Sequence, residues 1–410
     1  MKKLLLVLLI LSLFINHLNA NEKDLNIIQK DKKEYRLLDK ESIQTRQQSQ
    51  KYDWISPIDL SGNIGRNHSF SDENSRNLNN KNTKSASIGF TQSIFESGGI
   101  GFKMDYADNR FKYEMLSWEN QNSQLIYTIY NTLLDIKKLK LEINQNEYRI
   151  VNKDIELIIK KIQYEAGKTD IIELNNAIMS KNLILKEEIA LKNSLKEKEQ
   201  ELAKYTDLKY DEIEILDFQE TNKDIFLDKN YSILEADAKV EMLNSEYKIK
   251  KSQYLPKLSL SAKTSYSNQD EKFNSMINDT NKDDATASGS LILSMPLYDY
   301  TKSSKIQESK IEVLKQKALV NDLKNETAFE YEQIFTKIDT YLKQNETINK
   351  NIKLYEELIG ANKISSEAGM TSKYDLEILE NTKTINEFDI LINKINILQQ
   401  YAKLYFKIKN

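Results

Sequence analysis

Two long runs of this chain contain almost no residue that would interrupt a helix. The run from Lys103 to Tyr164 has neither proline nor glycine, and Gly360 is the single glycine between Thr301 and Ser366. Apolar residues recur seven positions apart in both runs, at Ile129, Ile136, Ile143, Ile150, Leu157 and Tyr164, and at Ile334, Tyr341, Ile348 and Tyr355. We therefore predict helices over about 103–164 and 301–366, each roughly 90 Å long, which neighbouring helices stabilise.

The prolines and most of the glycines lie in two other zones, about 54–97 and 254–297. Apolar and small polar residues alternate there, as in Leu60 and Ile64 against Ser61 and Asn63, which predicts strands over about 54–66, 85–97, 255–267 and 285–297. Long polar loops separate the strands of each pair. This pattern is typical of outer-membrane barrel strands, although soluble surface hairpins share it. Neither zone adjoins sequence that could bury the apolar faces in a globular core.

The two halves of the chain are copies of one unit. "YEAGKTDIIELNNA" begins at Tyr164 and "SEAGMTSKYDLEIL" begins at Ser366, so that the second glycine follows the first by 202 positions. "WISPIDLS" matches "YLPKLSLS", and "QSIFES" matches "MPLYDY", at nearly the same offset. We expect a signal peptide over 1–20, a first repeat over 21–205, a linker over 206–227 and a second repeat over 228–410. Each repeat is predicted as short helix, strand, loop, strand, very long helix, turn and shorter helix.

The turn between the long and the shorter helix of each repeat is predicted at 165–169 and 367–371. Gly167 and Gly369 can adopt the left-handed conformation that ends a helix. The next helices, about 170–205 and 372–408, then begin with capping pairs, Asp170 with Glu173 and Ser372 with Asp375. Stabilisation by the helix dipole is a purely structural role for these acids, and it remains open beside a functional one.

Composition excludes several classes of function. With 10 Gly, 3 Pro, 30% charged residues and a mean hydropathy of -0.61, the chain is dominated by polar helices. It has no cysteine, and His68 is the only histidine after the predicted signal peptide, so disulfides, the usual zinc sites and histidine catalysis lack their residues. The net charge is -3 and both signs are interspersed, so the sequence does not indicate a basic surface that would bind nucleic acid. We predict no enzyme activity and no cofactor.

With these motifs in this order, the chain resembles the TolC-like outer membrane efflux protein family. The resemblance is carried by "QSIFESGG", "MPLYDY" and the two turns that contain Glu-Ala-Gly. It implies a mainly α fold with a membrane β-barrel portion: a homotrimer whose chains each give four strands to one barrel in the outer membrane, while their helices form a tunnel across the periplasm. Four strands alone cannot close a lipid-facing barrel, which independently requires oligomerisation.

The implied function is a passive exit duct, in a tripartite efflux pump or a type I secretion system. Its implied partners are a periplasmic adaptor, or membrane fusion protein, and an inner-membrane transporter of the RND, ABC or MFS type. A secreted coiled-coil scaffold is the alternative, and it explains the helices but not the duplicated strand zones. An adaptor is a second alternative, but it needs β-rich modules that flank a single hairpin.

The resemblance also implies roles for particular residues. In the family, an acid six positions after the turn glycine lies in the tunnel constriction, which corresponds to Glu173 and Asp375, with Glu377 as a further gate candidate. A second acid often follows three residues later, where this chain has Ile378. The candidates for adaptor contact are Glu165, Ala166, Gly167, Glu367, Ala368 and Gly369. The strand-end motif comprises Ile94, Phe95, Pro296, Leu297 and Tyr298, whose aromatic members suit either an interfacial belt or packing where helix meets strand.

One departure from the family lies near the N-terminus. The segment from Asn21 to Lys51 is short and lacks an obvious apolar stripe, whereas its counterpart that begins at Asn230 is clear. We therefore expect the equatorial part of the tunnel to be reduced, and the sequence leaves open whether this segment forms a complete first helix.

Overall fold

The computed structural model describes residues 25–69, 79–216, 218–270, 282–367 and 372–409. The predicted signal peptide, Ala368 and Gly369 lie outside these residues. After a short 3-10 turn, Leu25–Ile27, the elements are α1 Lys30–Tyr52, β1 Asp59–Ser69, β2 Asn79–Phe95, α2 Gly99–Glu165, α3 Ile171–Leu202, α4 Lys223–Asp228, α5 Tyr231–Ser252, β3 Lys257–Asp270, β4 Lys282–Ser294, α6 Lys302–Glu367 and α7 Lys373–Tyr405. The long helices α2 and α6 have 67 and 66 residues.

The chain divides into two compact units. The first comprises residues up to Lys40, Leu116–Leu234 and the chain from Asn321 onward. Its core includes Phe226 from the short helix α4, which lies in the predicted linker. The buried residues packed with Phe226 come from α6 and the C-terminal segment, and they are Ile334, Ile338, Leu404 and Ile408. The linker therefore contributes its own buried aromatic anchor to this unit.

Helix α1 has 23 residues and its counterpart α5 has 22, so the short N-terminal segment does form a first helix of similar length. Its anchor is polar. Buried Arg36 donates from Nε to Asn122 Oδ1 at 2.6 Å and from Nη2 to the Trp118 carbonyl at 2.9 Å, while Trp118 Nε1 donates to the Arg36 carbonyl at 2.8 Å. Burial lowers the pKa of Arg36, which the Asp39 carboxylate partly offsets. Because hydrogen bonds rather than an apolar stripe hold α1, hydrophobic periodicity could not reveal it.

The second unit comprises Glu41–Met115 and Glu235–Val320 and contains a four-stranded antiparallel sheet in the order β1-β2-β3-β4. The two repeats meet where β2 pairs with β3, from Asn82 opposite Asp270 to Phe95 opposite Leu258. A register shift between Ser93 and Phe95 marks a bulge at the end of β2. Among the described residues, β1 and β4 each have one neighbour, so both outer edges of this sheet are unpaired there.

The strand bounds differ from the predicted ones at both ends. The strand predicted over 285–297 ends at Ser294, because Pro296 has no N–H for the ladder. The strand predicted from residue 54 begins at Asp59, since Gln92 holds the preceding segment, accepting from Ser56 N and donating to the Trp54 carbonyl, both at 2.9 Å. At the other end, β2 begins at Asn79 within the predicted polar loop, where alternation gives no signal but the backbone pairs.

The turn from β2 into α2 explains the glycines of "ESGG". Ser97 and Gly98 both have positive φ, 50° and 88°. The Ser97 hydroxyl donates to the Pro256 carbonyl at 2.7 Å, which compensates for the unusual backbone of a non-glycine residue. Gly99 lies so close to Ser252 that an added Cβ would meet its Oγ at 2.8 Å. This turn therefore requires both glycines.

Candidate functional site

The sheet has one apolar face. Its register places Leu60 opposite Ile88, Ile88 opposite Thr264 and Thr264 opposite Ala287, and residues two apart along each strand continue this face. Its large side chains are uncovered: Leu60 is 79% exposed and Leu293 is 72% exposed. From Leu258 to Tyr266 the face runs about 26 Å along the strand. An uncovered apolar face of this extent requires a partner or an apolar medium.

The opposite face carries hydroxyl groups. Four pairs of side-chain oxygens lie within hydrogen-bond distance across neighbouring strands: Ser61 and Ser87 at 2.8 Å, Thr91 and Ser261 at 3.1 Å, Ser93 and Ser259 at 3.3 Å, and Ser265 and Thr286 at 2.7 Å. These groups satisfy one another across the sheet, and the register places Asp59 and Lys263 on the same side, so this face is hydrophilic. The sheet is thus two-sided, as a strand segment between lipid and water would be.

The residues of the predicted strand-end motif fall at two kinds of position. Ile94 and Phe95 are the last residues of β2, whereas Pro296, Leu297 and Tyr298 follow the end of β4. Leu297 is 91% exposed and Tyr298 is 85% exposed. These side chains are therefore exposed just beyond the end of the sheet. Such exposure is compatible with a place in an interfacial aromatic belt and with packing where helix meets strand.

The first hairpin turn ends α2 with a Schellman motif. Gly167 has φ 67°, its N–H donates to the Tyr164 carbonyl at 3.0 Å, and Lys168 N donates to the Gln163 carbonyl at 2.8 Å. Glu165, Ala166 and Gly167 are all exposed. The left-handed glycine expected from the sequence is present, and the turn presents its backbone to the surroundings.

Helix α3 then begins with a cap and an ion pair. Asp170 Oδ1 accepts from the Glu173 N–H at 2.9 Å, so the predicted N-cap is present. The Glu173 carboxylate is turned to the neighbouring helix instead, where Lys160 Nζ donates to Glu173 Oε2 at 3.0 Å. The first gate candidate is therefore paired with a cation of its own hairpin.

Ion pairs fix the register of the whole α2–α3 hairpin. Lys160 and Glu173 lie seven residues before and six residues after Gly167. Three more pairs lie at matching distances on both sides of that glycine: Asp154 with Lys181 at 2.5 Å, Arg149 with Glu187 at 3.6 Å, and Asp135 with Lys198 at 3.3 Å. These are partly exposed pairs, each worth up to about 1 kcal/mol, so they specify alignment more than stability.

The second hairpin presents its carboxylates differently. Ser372 caps α7 by accepting from the Tyr374 N–H at 3.2 Å, and the Asp375 N–H donates to the Ser372 carbonyl at 3.1 Å. The cap therefore does not use the side chain of Asp375. Asp375 and Glu377 are both exposed, and within the described residues neither has an ion pair. Glu367 is the last residue of α6, and the turn residues 368–371 that follow it are not among the described residues.

A polar seam joins α2 to α7. Gln145 Nε2 donates to Asp389 Oδ1 at 2.6 Å and to the Ile385 carbonyl at 2.9 Å. Further contacts continue the seam in both directions: Asn381 with Asn152 at 2.9 Å, Asn152 with Thr382 at 3.3 Å, and Gln399 with Asp135 at 2.7 Å. Such side-chain hydrogen bonds exchange readily for bonds to water, and the Tyr148–Phe388 ring contact, with centroids 5.9 Å apart, adds an apolar contact between the same two helices.

Sequence reasoning missed Lys160 and the seam. The seam had a signal, because Asn131, Lys138, Gln145 and Asn152 recur seven apart beside the isoleucine stripe. Lys160 had none, since lysines are common on every face of α2 and only the hairpin register selects one of them. Within the described ranges, no helix is long and apolar enough to cross a bilayer, and no cluster of potential metal ligands occurs.

The fold of this chain is shared with outer membrane channels of known structure. The chain is similar to VceC of Vibrio cholerae, with 12% identity, a TM-score of 0.73, and 94% of this chain and 93% of that chain covered. It is also similar to the CmeC outer membrane channel of Campylobacter jejuni, with 13% identity, a TM-score of 0.69, and coverage of 92% and 84%. It is similar as well to the open state of the MtrE outer membrane channel of Neisseria gonorrhoeae, with 11% identity, a TM-score of 0.67, and 91% of this chain and 85% of that chain covered. The predicted fold class is confirmed.

Residues 224–403 match the family model named outer membrane efflux protein. The resemblance to this family, predicted from paired motifs, is thereby confirmed. No curated protein matches the chain by sequence.

Proposed function

We propose that this chain is one protomer of an outer-membrane exit duct, through which solutes delivered by a periplasmic pump leave the cell. The proposal places the sheet in the outer membrane and the helical hairpins in the periplasm. The protein itself performs no covalent chemistry, and an inner-membrane transporter with its adaptor supplies energy and selects the substrate. Membership in a tripartite efflux pump or in a type I secretion system fits this arrangement equally.

The two-sided sheet carries the proposal. An uncovered face with Leu60, Ile88 and Leu293 is stable in lipid and costly in water, and the hydroxyl face behind it suits an aqueous lumen. Strands of 11 to 17 residues are long enough to cross a bilayer, which takes about 9–11 residues. A soluble scaffold gains nothing from this arrangement.

The two free edges supply the reason to oligomerise. In lipid, unpaired N–H and C=O groups along β1 and β4 each cost several kcal/mol, by order of magnitude. Pairing β1 of one copy with β4 of the next removes both edges and closes a barrel. Three copies give twelve strands, and the number three comes from the resemblance to the family rather than from the chain alone.

We place the gate at the hairpin turns that lie farthest from the sheet along the chain. The polar seam between α2 and α7 supports a gate that opens by moving one hairpin past the other, because amide contacts such as Asn152 with Asn381 can re-form with water. Asp375 and Glu377, exposed at the start of α7, are the carboxylates available to such a constriction. The turns themselves are the proposed adaptor contacts.

Replacing Asp375 with Ala tests the gate. If its carboxylate restricts the pore, ion leakage through the purified channel in planar bilayers rises and cation selectivity falls. The Ser372 cap uses its own hydroxyl, so the variant retains the helix start. Unchanged conductance and selectivity would leave Asp375 with a structural role.

Extraction of the mature protein from outer membranes in mild detergent, followed by electron microscopy, tests the duct as a whole. A threefold tube with a detergent collar at one end is the expected particle. The competing function, a secreted coiled-coil scaffold, gives rods or monomers without a collar, and it leaves the membrane in a high-salt wash. That outcome would refute the membrane assignment.

A further inference from the structure

The two hairpin turns differ in how their carboxylates are balanced. Glu173 and Asp375 occupy the same position of the duplicated unit, six residues after a glycine. In the first hairpin, Lys160 Nζ lies 3.0 Å from Glu173 Oε2, and the two side chains are 35% and 51% exposed. In the second hairpin, Asp375 has no ion pair within the described residues. Both copies of the duplicated unit therefore have an acid at this position, but only the first copy pairs it with a lysine within the described residues.

The cause is a single difference in the long helices. At the offset of 202 residues that relates the two turns, Lys160 corresponds to Asn362. The Asn362 amide is neutral, and its Nδ2 donates to the Leu358 carbonyl of its own helix at 3.0 Å. The next lysine is present in both copies, as Lys161 and Lys363, so it cannot create the difference.

We infer that Lys160 neutralises the gate carboxylate of the first repeat, so that the second repeat alone sets the charge selectivity of the constriction. This inference rests on the proposed function. A neutralised Glu173 adds little to the field in the pore, because the paired charges cancel within a few ångströms. Asp375 and Glu377 of each copy then form the carboxylate ring that attracts cations.

The inference predicts effects of opposite sign for two substitutions. Lys160→Gln frees Glu173 and should raise the cation-to-anion permeability ratio about twofold, because an uncompensated carboxylate is added to the field in the constriction. Asn362→Lys places a cation opposite Asp375 and lowers the ratio by a similar factor. Glu173→Gln alone leaves the Lys160 cation unpaired and lowers the ratio by a similar factor, and the double variant Lys160→Gln/Glu173→Gln returns it to the original value.

Reversal potentials in a KCl gradient across planar bilayers measure these ratios. Lys181→Gln is the matched control, because it also removes one lysine of an α2–α3 ion pair, but farther from the turn, and it should leave the ratio unchanged. Loss of selectivity in Glu173→Gln, with no response in Lys160→Gln, would overturn the inference. A similar response in the Lys181 control would mean that total charge, rather than this ion pair, controls permeation.

The same experiment separates the two levels of the proposal. Unmodified protein that inserts into bilayers but never conducts ions contradicts the duct itself. A conducting channel whose selectivity ignores Lys160 and Asn362 leaves the duct intact and removes only the asymmetric gate.

Discussion

Leu60 and Ser61 are neighbours on β1 that face opposite sides of the sheet, and they offer a direct test of the membrane assignment. Leu60 lies within the apolar face, between the Leu258–Leu293 pair at one end and Tyr266 at the other. An arginine on the lipid face of a barrel near the bilayer midplane costs about 2–4 kcal/mol, and three chains incur it together, whereas substitutions toward the lumen are tolerated. Leu60→Arg should therefore reduce barrel assembly strongly, and Ser61→Arg should not.

The assay is urea titration of each variant refolded into lipid vesicles, with recovery in the outer-membrane fraction as a cellular readout. We expect Leu60→Arg to lower the folding free energy by about 2–4 kcal/mol per chain, and Ser61→Arg to change it by less than about 0.5 kcal/mol. On a soluble scaffold both positions are surface sites, and arginine at either is nearly neutral. Equal effects of the two substitutions would therefore refute a lipid-facing Leu60.

Three further outcomes follow from the local geometry. Gly167→Ala places a Cβ on a residue in the left-handed conformation, which should destabilise the turn by about 1–2 kcal/mol. Hydrogen exchange of the Lys168 N–H, which donates to the Gln163 carbonyl, should then become faster. An unchanged exchange rate would contradict the Schellman turn. Gly99→Ala should destabilise the protein by about 1–3 kcal/mol in thermal unfolding, and adding Ser252→Ala should recover part of the loss; no recovery would mean that the clash lies elsewhere. Burial would raise the pKa of Glu330, but hydrogen bonds and charges from its two lysine partners outweigh burial and hold it below the ordinary value. This carboxylate thus stabilises the fold above its unfolded pKa, and the contribution disappears as the pH falls through the lower folded value. Glu330→Gln should then be less stable than the unmodified protein by about 1 kcal/mol near neutral pH, and the difference should shrink below about pH 4 in pH-dependent unfolding; a constant difference contradicts the ion pairs.

The parts of the fold that follow from periodicity could be predicted from the sequence. The breaker-free runs gave the two long helices, and alternation located all four strands, because burial on one face leaves a repeating apolar mark. The full length of the predicted first helix could not be found in this way, since Arg36 and Trp118 hold α1 through directional hydrogen bonds. Strand ends were misplaced where a side chain, Gln92, replaced backbone pairing.

The places of the two gate candidates in the duplicated unit could be predicted from the sequence, but the partners of their carboxylates could not. The repeat located Glu173 and Asp375 without any structure, because both follow a turn glycine by six residues. Which of them is neutralised depends on the pairing of α2 with α3, where residues far apart in sequence meet in an antiparallel hairpin. A single sequence does not specify that register, since several lysines of α2 are equally suitable partners until the turn geometry selects one.

The symmetric spacing of ion pairs around Gly167 restricts how this molecule can change length. Deleting one residue from α2 would rotate every later side chain by about 100° and displace Asp154, Arg149 and Asp135 from their partners on α3. A viable insertion or deletion therefore has to occur in both arms of the hairpin at once, in steps close to seven residues that restore the same face. The hairpin of α6 and α7 would need an insertion or deletion of the same length to keep its polar seam with α2. The length of the helical hairpins is therefore expected to vary among relatives in a few discrete steps.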